Sequence, residues 1–224
     1  MNTPSSYDAA LPALIYSDVI CPWCYVGKRR FQAGVAAADL AVPIRASWRP
    51  FELNPDMPAE GIARADYRAR KFGAAKSAQL DAQMLETGRE VGIAFDFVKQ
   101  TRTPSTRLAH RLIWGAGQQG VEAQNALVDQ LFAGYFEQGL DIGRRDVLAA
   151  MAKDAGLDAN STTAALDQEA SLSAVLALEA WGVNAGIQGV PFFILADKFA
   201  VSGAQPADMW MRALPDIVAA AAKA

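Results

Sequence analysis

The sequence predicts an α/β fold: a small layer of strands and helices built from the two ends of the chain, with an all-helical block between them. Three observations predict it. Short apolar segments with strand character occur only near the N-terminal end and again after Gly189. Residues 61–184 are instead rich in alanine, leucine, glutamate and arginine and lack β-branched runs. Each strand-bearing part also carries a proline-marked helix start, at Pro22 and at Pro206. The expected division is a discontinuous domain of residues 10–60 and 185–224 around an inserted helical domain, residues 61–184.

The elements follow in order. Leu11 to Ser17 reads as a short buried strand. Pro22 fits a first helical position, because its fixed φ suits the helix and its missing N–H is not needed there. A helix is therefore expected from Trp23 to about Ala38. Ile44, Ala46 and Trp48 alternate with Arg45, Ser47 and Arg49, the period-two pattern of a strand. Pro50, Pro55 and Pro58 close it with a loop. The central block reads as five or six helices, with entrances at Thr103-Pro104 and Asn160-Ser161. Pro191 to Leu195 and Phe199 to Val201 resume strand character across a turn placed at Asp197-Lys198. Pro206 opens the last helix.

The chain has 224 residues, 52% of them hydrophobic and 20% charged, enough for a sizeable core. The net charge of −3 and the lack of a basic stripe argue against nucleic acid as a partner. No apolar run approaches the roughly 20 residues a membrane helix needs. No basic region with an apolar run opens the sequence, so the cytoplasm is the expected location. Oligomeric state is not legible.

Only two cysteines occur, Cys21 and Cys24, and they sit in Cys21-Pro22-Trp23-Cys24. Three readings compete. Two thiolates can form half of a tetrahedral zinc site, but there is no second cysteine pair, and the one histidine, His110, is distant in sequence. The pair can be mere packing at a helix start, although packing does not ask for cysteine twice at this spacing. The redox reading also explains the context, a C-x-x-C between a strand and a helix. A helix N-terminus has unpaired N–H groups and the positive end of the dipole, and both stabilise a thiolate. Cys21, ahead of the first turn, is expected to be exposed and to attack. Cys24, one turn on, is expected to resolve. Lys28, Arg29 and Arg30 read as a solvated face.

These residues resemble the DsbA-like branch of the thioredoxin superfamily, and within it the FrnE-like cytosolic members. The resemblance rests on residues 17–25 (SDVICPWCY), residues 48–55 (WRPFELNP), Ala109-His110-Arg111-Leu112, residues 131–136 (LFAGYF), Gly189-Val190-Pro191-Phe192-Phe193 and Val201-Ser202-Gly203-Ala204-Gln205. It covers nearly the whole chain. It implies a thioredoxin-like fold with an inserted helical domain, and a thiol-disulfide oxidoreductase whose redox centre is a Cys21–Cys24 disulfide with no bound cofactor. It further implies a cis peptide bond between Val190 and Pro191, beside the cysteines, where the backbone pairs with an extended substrate.

On this reading thiol or disulfide substrates, protein or small molecule, are the partners, and glutathione is a candidate exchange partner. Val190, Pro191, Trp48 and Phe51 are the expected substrate-binding residues, with Pro22, Trp23 and Asp18 supporting the pair. Trp23, Trp48, Phe51 and Phe192 are candidates for an apolar groove, while Phe193 reads as core. Ser202, Gly203 and Gln205 fall where related glutathione-using proteins can hold a carboxylate.

The sequence departs from the family in two ways. Thioredoxin-like enzymes often carry a buried carboxylate six positions before the first cysteine, where this chain has Ile15. Asp18 is a nearby substitute, although an Asx turn is its simpler reading. Trp23 stands where DsbA has histidine and cannot supply positive charge, so a milder oxidant is expected. His110 is left outside the site as a structural histidine. Two other functions remain: a glutathione-dependent isomerase or transferase of the hydroxychromene-carboxylate isomerase or kappa type, and a holdase that binds unfolded chains without chemistry.

Overall fold

A computed structural model describes residues 10–223. Strand β1 (Leu11–Ser17) leads into α1 (Pro22–Ala37) and then β2 (Ile44–Pro50). The central block holds β3 (Ile62–Ala63), α2 (Arg64–Phe72), α3 (Ala74–Glu90), β4 (Arg102–Thr103), α4 (Arg107–Gln119), α5 (Val121–Phe136), α6 (Arg145–Asp154), α7 (Ala159–Ala164) and α8 (Glu169–Asn184). The chain closes with β5 (Phe192–Leu195), β6 (Phe199–Ser202) and α9 (Ala207–Ala221).

Four strands form one mixed sheet in the order β2-β1-β5-β6. β1 runs parallel to β2, with Ile15 opposite Trp48, and antiparallel to β5, with Ile15 opposite Phe193. A parallel neighbour requires a crossover, and α1 supplies it. Helices α1 and α9 pack on one sheet face, where Phe31, Phe193 and Trp210 meet with ring centroids 4.8–5.2 Å apart. Tyr16 points to the opposite face and stacks on Trp181 of α8 at 6.0 Å. The sheet is thus covered on both sides.

Helix α1 is also gripped from the helical block. Tyr25 stacks on Phe132 of α5 with centroids 5.0 Å apart, and its hydroxyl donates to Glu137 Oε1 at 2.7 Å. With the sheet on one flank and α5 on another, α1 keeps little solvated surface. This corrects the reading of Lys28 as part of a solvated face: it is 1% exposed and its Nζ lies 2.5 Å from Asp129 Oδ1.

The central block departs from expectation in three places. It is not wholly helical, because β3 and β4 pair antiparallel through Ile62–Thr103 and Ala63–Arg102. Two-residue strands are too short to show a period. Its described residues form seven helices, not five or six: Gly73, at φ 76°, separates α2 from α3, and α7 is a single short piece. The entrance placed at Thr103-Pro104 lies at Thr106, the residue before α4. The β5–β6 turn also sits one residue earlier than expected. Ala196 and Asp197 have φ of 51° and 57°, and the Lys198 N–H donates to the Leu195 carbonyl at 3.1 Å. Two consecutive positive φ values match the hairpin turn whose twist suits flanking strands.

Candidate active site

The site is built where β1 stops. Asp18 turns the chain, and its carbonyl accepts from the Cys21 N–H at 3.0 Å. Cys21 is the residue before the first turn of α1, in extended conformation (φ −89°, ψ 111°), with Pro22 at the first helical position. Its carbonyl accepts from the N–H of Cys24 at 3.0 Å. There is no acidic side chain in the first turn of α1, so the positive end of the helix is left for a thiolate.

Both thiols are free and both residues are buried. Cys21, expected to be exposed, is only 6% exposed because the loop before β5 covers it. The Val190–Pro191 peptide in that loop is cis. The Val190 carbonyl lies 3.7 Å from Cys21 Sγ, and the Pro191 carbonyl accepts from the Gly203 N–H at 2.8 Å. Gly27 of α1 lies directly under the loop: a Cβ there would stand 2.8 Å from Pro191 Cγ.

Cys24 is deeper, at 1% exposure. Burial pushes its thiol well above the ordinary range, and the neighbouring Cys21 pushes it further; the Ser17 hydroxyl and the Asp18 backbone oppose them. Asp18 is fully buried. Its Oδ2 accepts from the Leu53 N–H at 2.8 Å and its Oδ1 from the Ile20 N–H at 3.4 Å, so the Asx turn is present. Asp18 Oδ1 also lies 3.5 Å from His110 Nε2. His110, left outside the site by the sequence reading, is therefore brought against the turn that presents the cysteines. Burial pulls its imidazole down, and Asp18 together with Glu179 and Glu52 more than offsets that, so it is raised overall.

A cleft of about 340 Å³ opens on Cys21. Trp23, 36% exposed, stands at it. Arg64, Arg68 and Lys71 of α2 line it together with a single carboxylate, Asp81, which both arginines grip at 2.7–2.9 Å. Sequence reading did not pick out these cleft-lining cations; their spacing on one face of α2 was the available signal.

None of the four expected substrate residues lines this cleft: the Val190–Pro191 loop lies beside Cys21 Sγ, and Trp48 and Phe51 lie elsewhere. Trp48 is 4% exposed, its Nε1–H donates to Asn125 Oδ1 at 2.9 Å, and it lines a separate cavity of about 520 Å³ between α1, β2 and α5. The alternation that identifies β2 puts Trp48 on the inner side, so it packs rather than faces a client. Phe51 is half-buried after β2 and does not line the cleft. Phe193 is fully buried, as expected of core. Among the described residues, no group of three or more His, Cys, Asp or Glu side chains is placed to hold a metal, and no helix is long and apolar enough to cross a membrane.

Comparison with known proteins agrees with this fold. The uncharacterized protein YwbO of Bacillus subtilis (strain 168) is 29% identical over 205 residues, covering 90% of this chain and 94% of that protein. A probable DsbA oxidoreductase from Streptomyces coelicolor superposes with a TM-score of 0.82 at 31% identity, covering 92% of this chain and 89% of that one. The cytosolic disulfide reductase DsbM from Pseudomonas aeruginosa shares the fold at a TM-score of 0.64 and 16% identity, over 94% of this chain and all (100%) of its own. The DSBA-like thioredoxin domain matches residues 14–215, and with the mixed sheet and helical insertion described above, the chain belongs to that family of thioredoxin-fold proteins.

Proposed function

We propose that this protein is a cytoplasmic thiol-disulfide oxidoreductase that works through Cys21 and Cys24. The observation that carries the reading is the position of Cys21: at the N-terminus of α1, on the floor of an open cleft, with its sulfur beside the cis Val190–Pro191 loop. In the reducing direction the Cys21 thiolate attacks a substrate disulfide. A Cys21–substrate S–S bond forms, and the other substrate sulfur leaves as a thiolate. Cys24 then attacks Cys21 Sγ, the Cys21–Cys24 disulfide forms, and the second substrate sulfur leaves reduced. The reverse sequence oxidises a client, and the direction follows the potential of the pair against its surroundings. Val190 and Pro191 are the expected backbone contacts for an extended substrate.

The cleft also favours a kind of substrate. Three cations against one carboxylate leave positive charge above Cys21, which suits a thiol compound that carries carboxylates. Glutathione is such a compound, and DsbM, which shares the fold, has a solved structure with it. The transferase and holdase readings leave Cys24 without a role. The test is reduction of insulin and of glutathione disulfide by wild type and by Cys21→Ser. Activity on either that is lost in the variant supports exchange; equal rates in both proteins overturn it.

A further inference from the structure

The cleft over Cys21 carries more positive charge than its own contacts use. Arg64, Arg68 and Lys71 line it against one carboxylate, Asp81, an excess of two positive charges in a chain whose net charge is −3. The two arginine side chains are well covered, at 15% and 16% exposure. Charge held out of water is costly unless opposite charge meets it. Packing does not ask for it either, because α2 contributes no residue to the buried core.

Asp81 of α3 fixes the two arginines. Arg64 Nη2 donates to both of its oxygens at 2.9 Å, and Arg68 Nη2 donates to Oδ1 at 2.7 Å. Arg68 also donates from Nε to Ser77 Oγ at 2.8 Å and from Nη2 to the Ser77 carbonyl at 2.9 Å. Aromatic rings hold the guanidinium groups: Arg64 lies 5.0 Å from the Phe97 centroid and Arg68 4.9 Å from that of Phe72. Lys71 Nζ donates to Tyr67 Oη at 2.6 Å and to Asn54 Oδ1 at 3.2 Å. A guanidinium has five N–H donors and an ammonium three. Among the described residues, Arg64 Nε and Nη1, Arg68 Nη1 and one Lys71 N–H therefore meet no acceptor. Arg68 and Lys71 are three residues apart on one helix, so their side chains start about 5–6 Å apart.

We propose that these cations select the substrate: a low-molecular-weight thiol, met as its disulfide, that carries two carboxylates close together, one taken by Arg68 with Arg64 and the other by Lys71. This rests on the exchange reading and narrows it. A cleft of about 340 Å³ suits a small molecule. Phe72, Leu80 and Phe97 offer apolar wall for its carbon skeleton, and Cys21 meets its sulfur. Two carboxylates match the excess of two positive charges, and a guanidinium takes a carboxylate through two N–H groups at once. Glutathione matches less well, because its two carboxylates sit at opposite ends of the molecule and its amino group adds a positive charge. The chemistry is that of exchange. The Cys21 thiolate attacks the disulfide, and one dicarboxylate thiolate leaves. Cys24 attacks Cys21 Sγ, the second thiolate leaves, and the protein is left with the Cys21–Cys24 disulfide.

The test is single-turnover oxidation of the pre-reduced protein by 2-hydroxyethyl disulfide, dithiodiglycolate, dithiodisuccinate and glutathione disulfide. Their halves carry no carboxylate, one, two adjacent and two distant, in that order. Each second-order rate constant is divided by that of dithiothreitol with the same disulfide, which removes intrinsic reactivity. Across the first three, each added carboxylate should raise the normalised constant on the order of tenfold, about what one hydrogen bond to a charged group is worth. Glutathione disulfide should fall below dithiodisuccinate. Arg68→Gln and the exposed Lys71→Gln should each remove about one step of the series, and added salt should flatten it. Equal normalised constants, glutathione disulfide ahead of dithiodisuccinate, or a series unchanged in both variants would overturn the inference. Oxidation by none of the disulfides would overturn the exchange reading itself, and the inference with it.

Discussion

Replacing Gly27 with alanine places a methyl group 2.8 Å from Pro191 Cγ and 3.4 Å from Ala204 Cα. Carbon atoms settle at about 3.5–4.0 Å, so the proline ring must retreat by about 1 Å. It cannot do so freely, because the Pro191 carbonyl is tied to the Gly203 N–H at 2.8 Å. Forcing an extra methyl into packed surroundings costs about 1–3 kcal/mol. Gly27 lies inside α1, where alanine returns about 0.5–1 kcal/mol of helix preference. The net loss of stability should be about 0–2.5 kcal/mol, small enough for the variant to remain folded. The effect on turnover should be larger, since the displaced loop carries the Val190 carbonyl that faces Cys21 Sγ at 3.7 Å. A shift of about 1 Å in a reacting arrangement can cost on the order of a hundredfold in rate. Urea denaturation and disulfide-reduction kinetics on the same preparation separate the two effects. A variant with wild-type turnover would show that the loop's position over the cysteine is not what sets the rate.

The remaining predictions concern charge and chemistry. Asp129→Asn leaves the Lys28 ammonium buried without its partner and should cost about 2–4 kcal/mol at pH 7, less than a fully enclosed pair because Asp129 is 43% exposed. Burial lowers Lys28 from its ordinary 10.5, so the unfolded chain binds more protons in the window just below that value; stability should rise with pH there, more steeply in Asp129→Asn, as denaturation at pH 8 and 10 would show. Glu179 shifts the other way, from 4.5 to about 7, so the folded state binds more protons between those values. The stability advantage of Glu179→Gln over wild type should therefore grow from pH 5 to pH 7 and then level off, which thermal unfolding across that range would check. Cys24→Ser should stop exchange at the Cys21–substrate disulfide, visible by mass spectrometry as a stable adduct; no adduct would count against Cys21 as the attacking thiol.

The α/β layer was legible because its signals are local. Alternation marks β2, and proline marks the starts of α1 and α9. The cysteine pair was legible for the same reason, since a strand followed by Cys-Pro is enough to place it at a helix N-terminus. What failed depended on which face of an element is covered, and by what. Lys28 follows Cys24 by four residues and precedes Phe31 by three, so it lies on the inner stripe of α1; reading charge as solvent exposure overrode that spacing. His110 sits one turn before buried Ile113 on α4, which marks its face as internal, but nothing short of the tertiary fold places that face against Asp18. Trp48 failed in the opposite direction: an aromatic residue near a site was read as groove lining although its strand period puts it inside. The cis peptide at Pro191 came only from family resemblance, because Gly-Val-Pro alone reads as an ordinary turn.

The two thiols of one helical turn are made unequal by where that turn sits. Cys21 ends the strand-to-helix connection and faces the cleft, with uncompensated N–H groups of α1 beside it. Cys24 points into the interior, where Tyr25 and the α5 aromatics anchor the helix and exclude water. Burial keeps Cys24 protonated while Cys21 reacts, and this enforces the order of the two attacks. The same burial would stall the second attack, because a thiol that is hard to ionise resolves a mixed disulfide slowly. An exchanger built this way needs a route by which the inner proton can leave once the outer bond has formed. Ile15 cannot provide one from within β1. Ser17, two residues further along the same strand and on the same face, is polar, and it lines one small cavity with His110.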